Sequence, residues 1–555
     1  MFEKLTQDYL AHLTAGSDEE SKRRLELQAD YYRKQTELWM AMLAAQPGKQ
    51  PTHIIEPEKG DRRFNAPEWN DLPFFDYLKQ SYLLNSRWLK EMVESANLDA
   101  ALGEGAKKKT LFFTRQLIDS LSPSNFPATN PETLKLALET DGASIANGMK
   151  NFLADLEKGR ISMTDENAFE VGKNLAVTPG AVVYQNDIIQ LIQYAPLAKK
   201  VYQRPLLIVP PFINKYYILD LQPENSFVRY ALEQGQTVFM VSWRNIPPEL
   251  GSASWDDYIK QGVFAPIKVA LEISGADKLN TLGFCVGGTL LAAALAVLRK
   301  QKKPVPVFPV ASLTLLTTML DYSDVGEIGV YVDQASVQKR EAELASGEAV
   351  NGRELAVAFA SLRANELIWA YVVNNYLKGK QPEAFDLLYW NSDSSNLPGT
   401  LYAWYLRNTY LENNLRVPGK LTMCGAPVDL GKINLPTFIL ASREDHIVPW
   451  KSAYASTRLL KGKLQFILAA SGHIAGVVNP ASKNRRNYWA NPSLTQDPGQ
   501  WLAAAQSVPG SWWENWSAWL RKKSGKQVPA RKRLGGADYP EIEPAPGKYV
   551  KVRYD

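Results

Sequence analysis

The spacing of apolar positions changes near residue 170. Before that point it follows the helical period. In SKRRLELQADYYRKQTELWMAML, the residues Leu25, Ala29, Tyr32, Trp39 and Met42 share one helical face. A stretch punctuated by proline and glycine follows, around residues 45–75, and then a second amphipathic run, FFDYLKQSYLLNSRWLKEMVE. In SPSNFPATNPETLKLALE, Asn130 is placed to cap a helix whose first position is Pro131. The pattern predicts a mainly helical N-terminal domain over residues 1–170, with nothing catalytic in it.

Beyond residue 170, short apolar runs alternate with helical ones. The runs are PLLIVPPFI (205–213), QTVFMVSW (236–243), KLNTLGFC (278–285), VASLTLLTTML (310–320), PTFILASREDH (436–446) and KLQFILAASGH (463–473). Between them lie WDDYIKQGVFAPIKVALEIS and GTLLAAALAVLRK, which read as helices. That alternation predicts a parallel α/β sheet in a catalytic domain spanning residues 171–555. The interval from about 321 to 435 is too long for a bare loop. It holds RELAVAFASLRANELIWAYVVNNYLKG and an aromatic-rich segment, and is read as a cap inserted over the active site. Trp369, Tyr389, Trp390, Tyr402, Trp404 and Tyr405 would give that cap a dry wall. No internal repeat or low-complexity tract is visible.

Composition narrows the class. Of 555 residues, 45% are hydrophobic and 22% charged, enough for a large core in two or more domains. Two cysteines exclude a disulfide framework and suit a reducing cytoplasm. The opening MFEKLTQDYLAHLTAGSDEE has no apolar core, so no signal peptide is expected. A net charge of +5 is compatible with anionic small substrates and too weak to argue for nucleic acid. Leu279 to Leu298 carries no charge and has about the length a bilayer needs. Its glycines, threonines and Asn280 instead suit a buried strand and helix, so no transmembrane segment is expected.

The chemistry centres on TLGFCVGGTLL (281–291), where a strand runs through a glycine turn into a helix with Cys285 at the turn. Gly283 and Gly287 flank Cys285 as the glycines of G-x-S-x-G flank a nucleophilic serine, and Gly288 lets the helix start close to the sheet. The helix N-terminus favours an anion there. The backbone N–H of Val286 is placed for the oxyanion of a tetrahedral intermediate. A second such N–H is expected from the loop after the first parallel strand, with Phe212 as candidate.

The chain has four histidines: His12, His53, His446 and His473. His473 follows the last apolar strand and Asp445 the one before, 28 residues earlier. Nucleophile, acid and histidine thus follow the chain order of an α/β-hydrolase. Asp321, after the fourth strand, is the rival acid, and Asp445 is preferred. His446 is read as a local packing residue and Cys424, in LTMCGAP, as structural. A cysteine nucleophile suits acyl transfer from a thioester, because the acyl-enzyme is again a thioester and keeps the acyl group activated. If the acyl group carries a hydroxyl, each product is a new acceptor and a polyester results.

GFCVGG, VPPFINKYYILDLQPENS, FDLLYWNSDSSNLPGTLYAWYLRNTYLENN, REDHIVPW, SGHIAGVVNP and GSWWENWSAWL together resemble the polyhydroxyalkanoate synthases, closest to the single-subunit class I type, from roughly residue 60 to the end. The resemblance implies an α/β-hydrolase fold with an inserted cap subdomain behind a helical N-terminal domain. It implies Cys285 as acylated nucleophile, His473 as base and Asp445 as its partner. It further implies (R)-3-hydroxyacyl-CoA as substrate, short-chain monomers such as 3-hydroxybutyryl-CoA, and a growing polyester chain on cytoplasmic granules. Coenzyme A is then a leaving group, and no cofactor or metal is expected. A homodimer and granule-associated partners such as phasins are implied as well.

Two further stretches stand out. Trp512, Trp516 and Trp519 fall on one helical face, with Trp513 beside them, and are read as core rather than as a granule-binding surface. Arg521 to Arg533 holds seven basic residues and no acid, and is read as a solvated tail open to acidic partners.

Overall fold

The computed structural model describes residues 18–44, 52–300 and 308–553. His12 and the first 17 residues of the opening segment read for a signal peptide lie outside them. The chain divides into two compact units. One takes the described residues up to Asp165 together with Ala360–Glu383, the other Glu166–Phe359 and Ala384 onward.

The first unit is helical. Its α1 (Asp18–Leu43) packs on α2 (Pro73–Ser95) around Leu38, Phe64, Trp69, Leu83 and Leu84. The helix α3 (Pro131–Glu139) begins where the capping signal sets it: the Asn130 side chain accepts the N–H groups of Glu132 and Thr133. On α1, however, the apolar face read from periodicity is largely open, with Leu25 70% and Tyr32 62% exposed. Segment 360–383 is fixed here by close backbone approach. A Cβ on Gly148 of α4 (Ala143–Lys158) would lie 1.9 Å from the Tyr376 carbonyl oxygen. The Tyr376 hydroxyl donates to Asp155 (2.8 Å), and Asn375 donates to the Ser162 carbonyl (2.7 Å). The interval read as one cap is therefore divided, and Trp369 belongs to this unit.

The second unit is built on an eleven-stranded sheet. Its strands are β1 (Gly180–Gln185), β2 (Ile189–Tyr194), β3 (Leu206–Val209), β4 (Val238–Trp243), β5 (Leu279–Phe284), β6 (Val310–Leu316), β7 (Thr437–Ser442), β8 (Leu464–Ala469), β9 (Asn487–Ala490), β10 (Gln506–Pro509) and β11 (Glu543–Pro544). The spatial order is β10-β9-β8-β7-β6-β5-β3-β4-β2-β1-β11. The six apolar runs of the sequence form the parallel heart, β4-β3-β5-β6-β7-β8. The flanking strands pair antiparallel.

Buried on both faces, the central strands read as continuous apolar stretches. Leu279–Leu298 is β5 followed by α5 (Val286–Lys300), and its residues are buried within this unit except Cys285 and Leu298, which are partly exposed. Among the described residues no single helix is long and apolar enough to cross a membrane; one bent pair, Gly352–Ser361 with Asn365–Leu377, reaches the threshold by length and composition only.

The tryptophan stripe is core. On and beside α6 (Trp513–Arg521), the side chains of Trp512, Trp513 and Trp516 are at most 2% exposed, and the indole of Trp516 donates to Thr314 of β6.

Candidate active site

Cys285 occupies the turn between β5 and α5 with φ at +52°, in the left-handed region that a residue bearing a Cβ enters at a cost. The neighbouring glycines make the turn feasible. A Cβ on Gly283 would lie 2.4 Å from the Gly288 Cα, one on Gly287 2.3 Å from the Pro210 carbonyl oxygen, and one on Gly288 2.2 Å from Thr318 Oγ1. The Cys285 N–H donates to Leu316 of β6 (2.9 Å), and its carbonyl accepts from Gly288 and Thr289 in the first turn of α5. Val286 opens that helix, where first-turn N–H groups have no partner within the helix. Across from it, β3 ends in Pro210–Pro211, and proline carries no N–H. Phe212 thus bears the first backbone N–H after β3. Its buried ring is held edge-on by Trp243, Trp255 and Tyr258.

His473 lies beyond β8 and Asp445 beyond β7, and the two side chains meet: Nδ1 of His473 is 2.7 Å from Oδ2 of Asp445. The other Asp445 oxygen accepts the N–H groups of Ile447 (2.9 Å) and Val448 (2.8 Å), so the carboxylate is held from both sides. The His473 ring stacks on Phe284, the residue before Cys285, with centroids 5.7 Å apart. Burial works against a charged imidazole here. The Asp445 and Cys285 charges, together with hydrogen bonds to both, outweigh it and raise the His473 pKa from 6.5 to about 10.

The rival residues are engaged elsewhere. Asp321 accepts from the Ser323 N–H (2.9 Å), the Ser323 hydroxyl (2.6 Å) and the Asn413 amide (2.9 Å). His53 lies in the helical unit, 3.2 Å from Glu56. The N–H of Cys424 donates to Asp256, and burial together with that carboxylate raises its thiol to about 11, which suits a structural role.

Sequence reasoning missed the part that two sets of residues play at the site. Tyr322 and Tyr405 are buried, and Tyr410 partly buried, beside Cys285; burial above all, with the Cys285 charge contributing, raises their phenols, that of Tyr322 to about 12. The Tyr322 hydroxyl lies 3.2 Å from Thr289 Oγ1 and 3.1 Å from the Tyr405 hydroxyl, and Thr289 donates to the Met319 carbonyl (2.8 Å). Of these only Tyr405 was among the expected wall residues. The second set holds the loop after His473: the indoles of Trp512 and Trp513 donate to the carbonyls of Gly476 and Val477, each at 2.9 Å.

Two family models match the chain. Residues 60–231 match the N-terminus of poly-beta-hydroxybutyrate polymerase, and residues 204–480 match the alpha/beta hydrolase fold. The poly(3-hydroxyalkanoate) polymerase subunit PhaC of Cupriavidus necator is 51% identical over 95% of this chain and 88% of its own. The corresponding subunit of Rhizobium meliloti is 40% identical over 96% of this chain and 86% of its own. A solved structure, the monoacylglycerol lipase of Paleococcus ferrophilus, covers 60% of this chain and 98% of its own at 12% identity, with a TM-score of 0.35. With a cysteine elbow on an α/β-hydrolase sheet and half of its residues shared across nearly the whole length of such a relative, the chain belongs to the poly(3-hydroxyalkanoate) polymerases, a family of acyltransferases.

Proposed function

We propose that the chain polymerises (R)-3-hydroxyacyl groups from coenzyme A thioesters through an acyl-Cys285 intermediate, with short-chain monomers such as 3-hydroxybutyryl-CoA preferred. The observation that carries this reading is the hydrogen bond of Asp445 to a buried His473 whose ring stacks on Phe284, the residue before Cys285. In the resting site His473 holds the proton. The Cys285 sulfur attacks the thioester carbonyl, the oxyanion is met by the N–H groups of Val286 and Phe212, and the carbon–sulfur bond to coenzyme A breaks. The leaving thiolate takes the proton from His473 and departs as a thiol.

Acylation removes Cys285 from the two groups that raise the His473 pKa, so the ring then gives up its proton more readily. It then accepts the proton of an incoming 3-hydroxyl as that oxygen attacks the acyl-Cys285 carbonyl. The ester forms, Cys285 leaves as thiolate, and the charged pair is restored. Asp445 orients the ring in both half-reactions. The tyrosines beside Cys285 give the thioester a largely apolar surrounding in which a hydroxyl competes better with water.

The same reading makes the growing polyester a partner and the surface of cytoplasmic granules the working place, with a homodimer and phasins as associated proteins. Incubating the purified chain with 3-hydroxybutyryl-CoA tests it. The expected products are free coenzyme A and water-insoluble polyester in matching amounts; free 3-hydroxybutyrate as the sole acyl product would make the chain a thioesterase with the same three residues.

A further inference from the structure

Cys285, Asp445 and His473 all follow the C-terminal ends of parallel strands. Strands of six residues such as β5 and β8 put the other end of the sheet about 20 Å away. Two adjoining cavities open there, about 500 and 440 Å³, with Pro436 lining both. Lys463, Lys522 and Lys523 line the first, and Arg204, Lys278 and Arg299 the second. No aspartate or glutamate lines either. Arg204 is paired with Asp277 at 2.6 Å; among the described residues the other five cations form no ion pair.

The basic run of the sequence is thus not wholly a solvated tail: it delivers Lys522 and Lys523 into a recess. Lys523 Nζ sits 4.8 Å over the Trp519 ring, and the Arg299 guanidinium 3.4 Å over Phe308. Burial first, and then repulsion from Lys522 and Lys463, pulls the Lys523 ammonium below its usual range. Clustered like charges cost stability unless something neutralises them. Lysines act as point charges toward phosphate oxygens, and cavities of this size accept small molecules.

We propose that these cavities at the foot of the sheet form a binding site for a small molecule bearing a diphosphate, separate from the site at Cys285. An adenine nucleotide and inorganic pyrophosphate share that chemistry. The proposal does not depend on the polymerase reading, because its test measures binding and not turnover.

The full chain is titrated calorimetrically with ADP and, separately, with pyrophosphate at low and high salt. We expect saturable binding that weakens as salt screens it. In the triple variant K463Q/K522Q/K523Q the affinity should drop about tenfold or more, since each substitution removes a charge-assisted contact, while the unfolding temperature of the ligand-free chain stays level or rises as the mutual repulsion of the lysines is relieved. Tighter binding of ADP than of pyrophosphate would identify a nucleotide, and equal binding the diphosphate alone. No saturable heat with either probe at millimolar concentration, or equal affinity in the triple variant, would overturn the proposal; the latter result would move any nucleotide binding elsewhere.

Discussion

At the scale of single residues, the site is an arrangement of charges around one proton. His473 holds that proton because Asp445 and Cys285 both face it, and its raised pKa of about 10 gives a sign. A group whose folded pKa lies above its unfolded value stabilises the fold fully below the unfolded value, and that contribution is lost as pH rises through the folded one. His473 should therefore cost the protein stability as pH rises from about 6.5 to 10. Denaturant melts across that range should show the loss, and a smaller loss in Cys285→Ala, which removes one of the two groups that raise the His473 pKa. An undiminished loss in that variant would contradict the charge assignment.

In catalysis, Asp445→Asn should keep a measurable first release of coenzyme A but slow chain growth by about 10²-fold or more, because a hydroxyl needs a well-held base. Single-turnover and steady-state assays separate the two steps. Asp321→Asn should affect neither step comparably, since that carboxylate is tied to Ser323 and Asn413. The placement of Cys285, His473 and Asp445 beyond the ends of parallel strands was legible because each stands just after a recognisable strand. Tyr322 was not, because only the folded chain brings it back to Thr289 of the nucleophile helix.

At the scale of elements, the six parallel strands were legible because burial on both faces leaves an unbroken apolar run with few competing readings. Strands β1, β2, β9, β10 and β11 were not named from sequence. They mix polar with apolar residues, as in Asn487–Ala490 and Gln506–Pro509, and carry little periodic signal. The strand–helix junction was read from its glycines, and their spacing to neighbours explains why no larger residue serves. Gly287→Ala would press a methyl group against the Val209 and Pro210 carbonyls, which are backbone and have little room to yield. Unfolding in urea should show a loss of about 1–3 kcal/mol, with the loop bearing Phe212 displaced and turnover reduced more than stability alone explains. Trp512→Phe would remove the indole donor to Gly476 while leaving most of the packing. It should lower turnover with a small change in melting temperature, because the loop it ties follows His473 directly; unchanged turnover would make that indole purely structural.

At the scale of the whole molecule, the chain is two units whose boundary crosses the interval read as a cap. Sequence periodicity identified helices in 353–379 but carries no record of which surface they pack on, and Gly148 and Tyr376 settle that for the segment 360–383. The remaining parts of the interval, 321–359 and 384–435, stay with the sheet and bring Tyr322, Tyr405 and Tyr410 beside Cys285. Under the proposed reaction these parts must let coenzyme A and polymer pass. Limited proteolysis should therefore cut them more readily before acylation than after; equal cutting in both states would argue against gating. Under the proposed reaction Cys285 carries each acyl group from a thioester to a hydroxyl and keeps it from water. The most direct measurement is quenched-flow mass spectrometry of the intact chain mixed with 3-hydroxybutyryl-CoA. A covalent 3-hydroxyacyl adduct should appear on Cys285 and lengthen by successive monomers, with no adduct in Cys285→Ala. Polyester formed by Cys285→Ala, or an adduct that only ever hydrolyses to free acid, would contradict it.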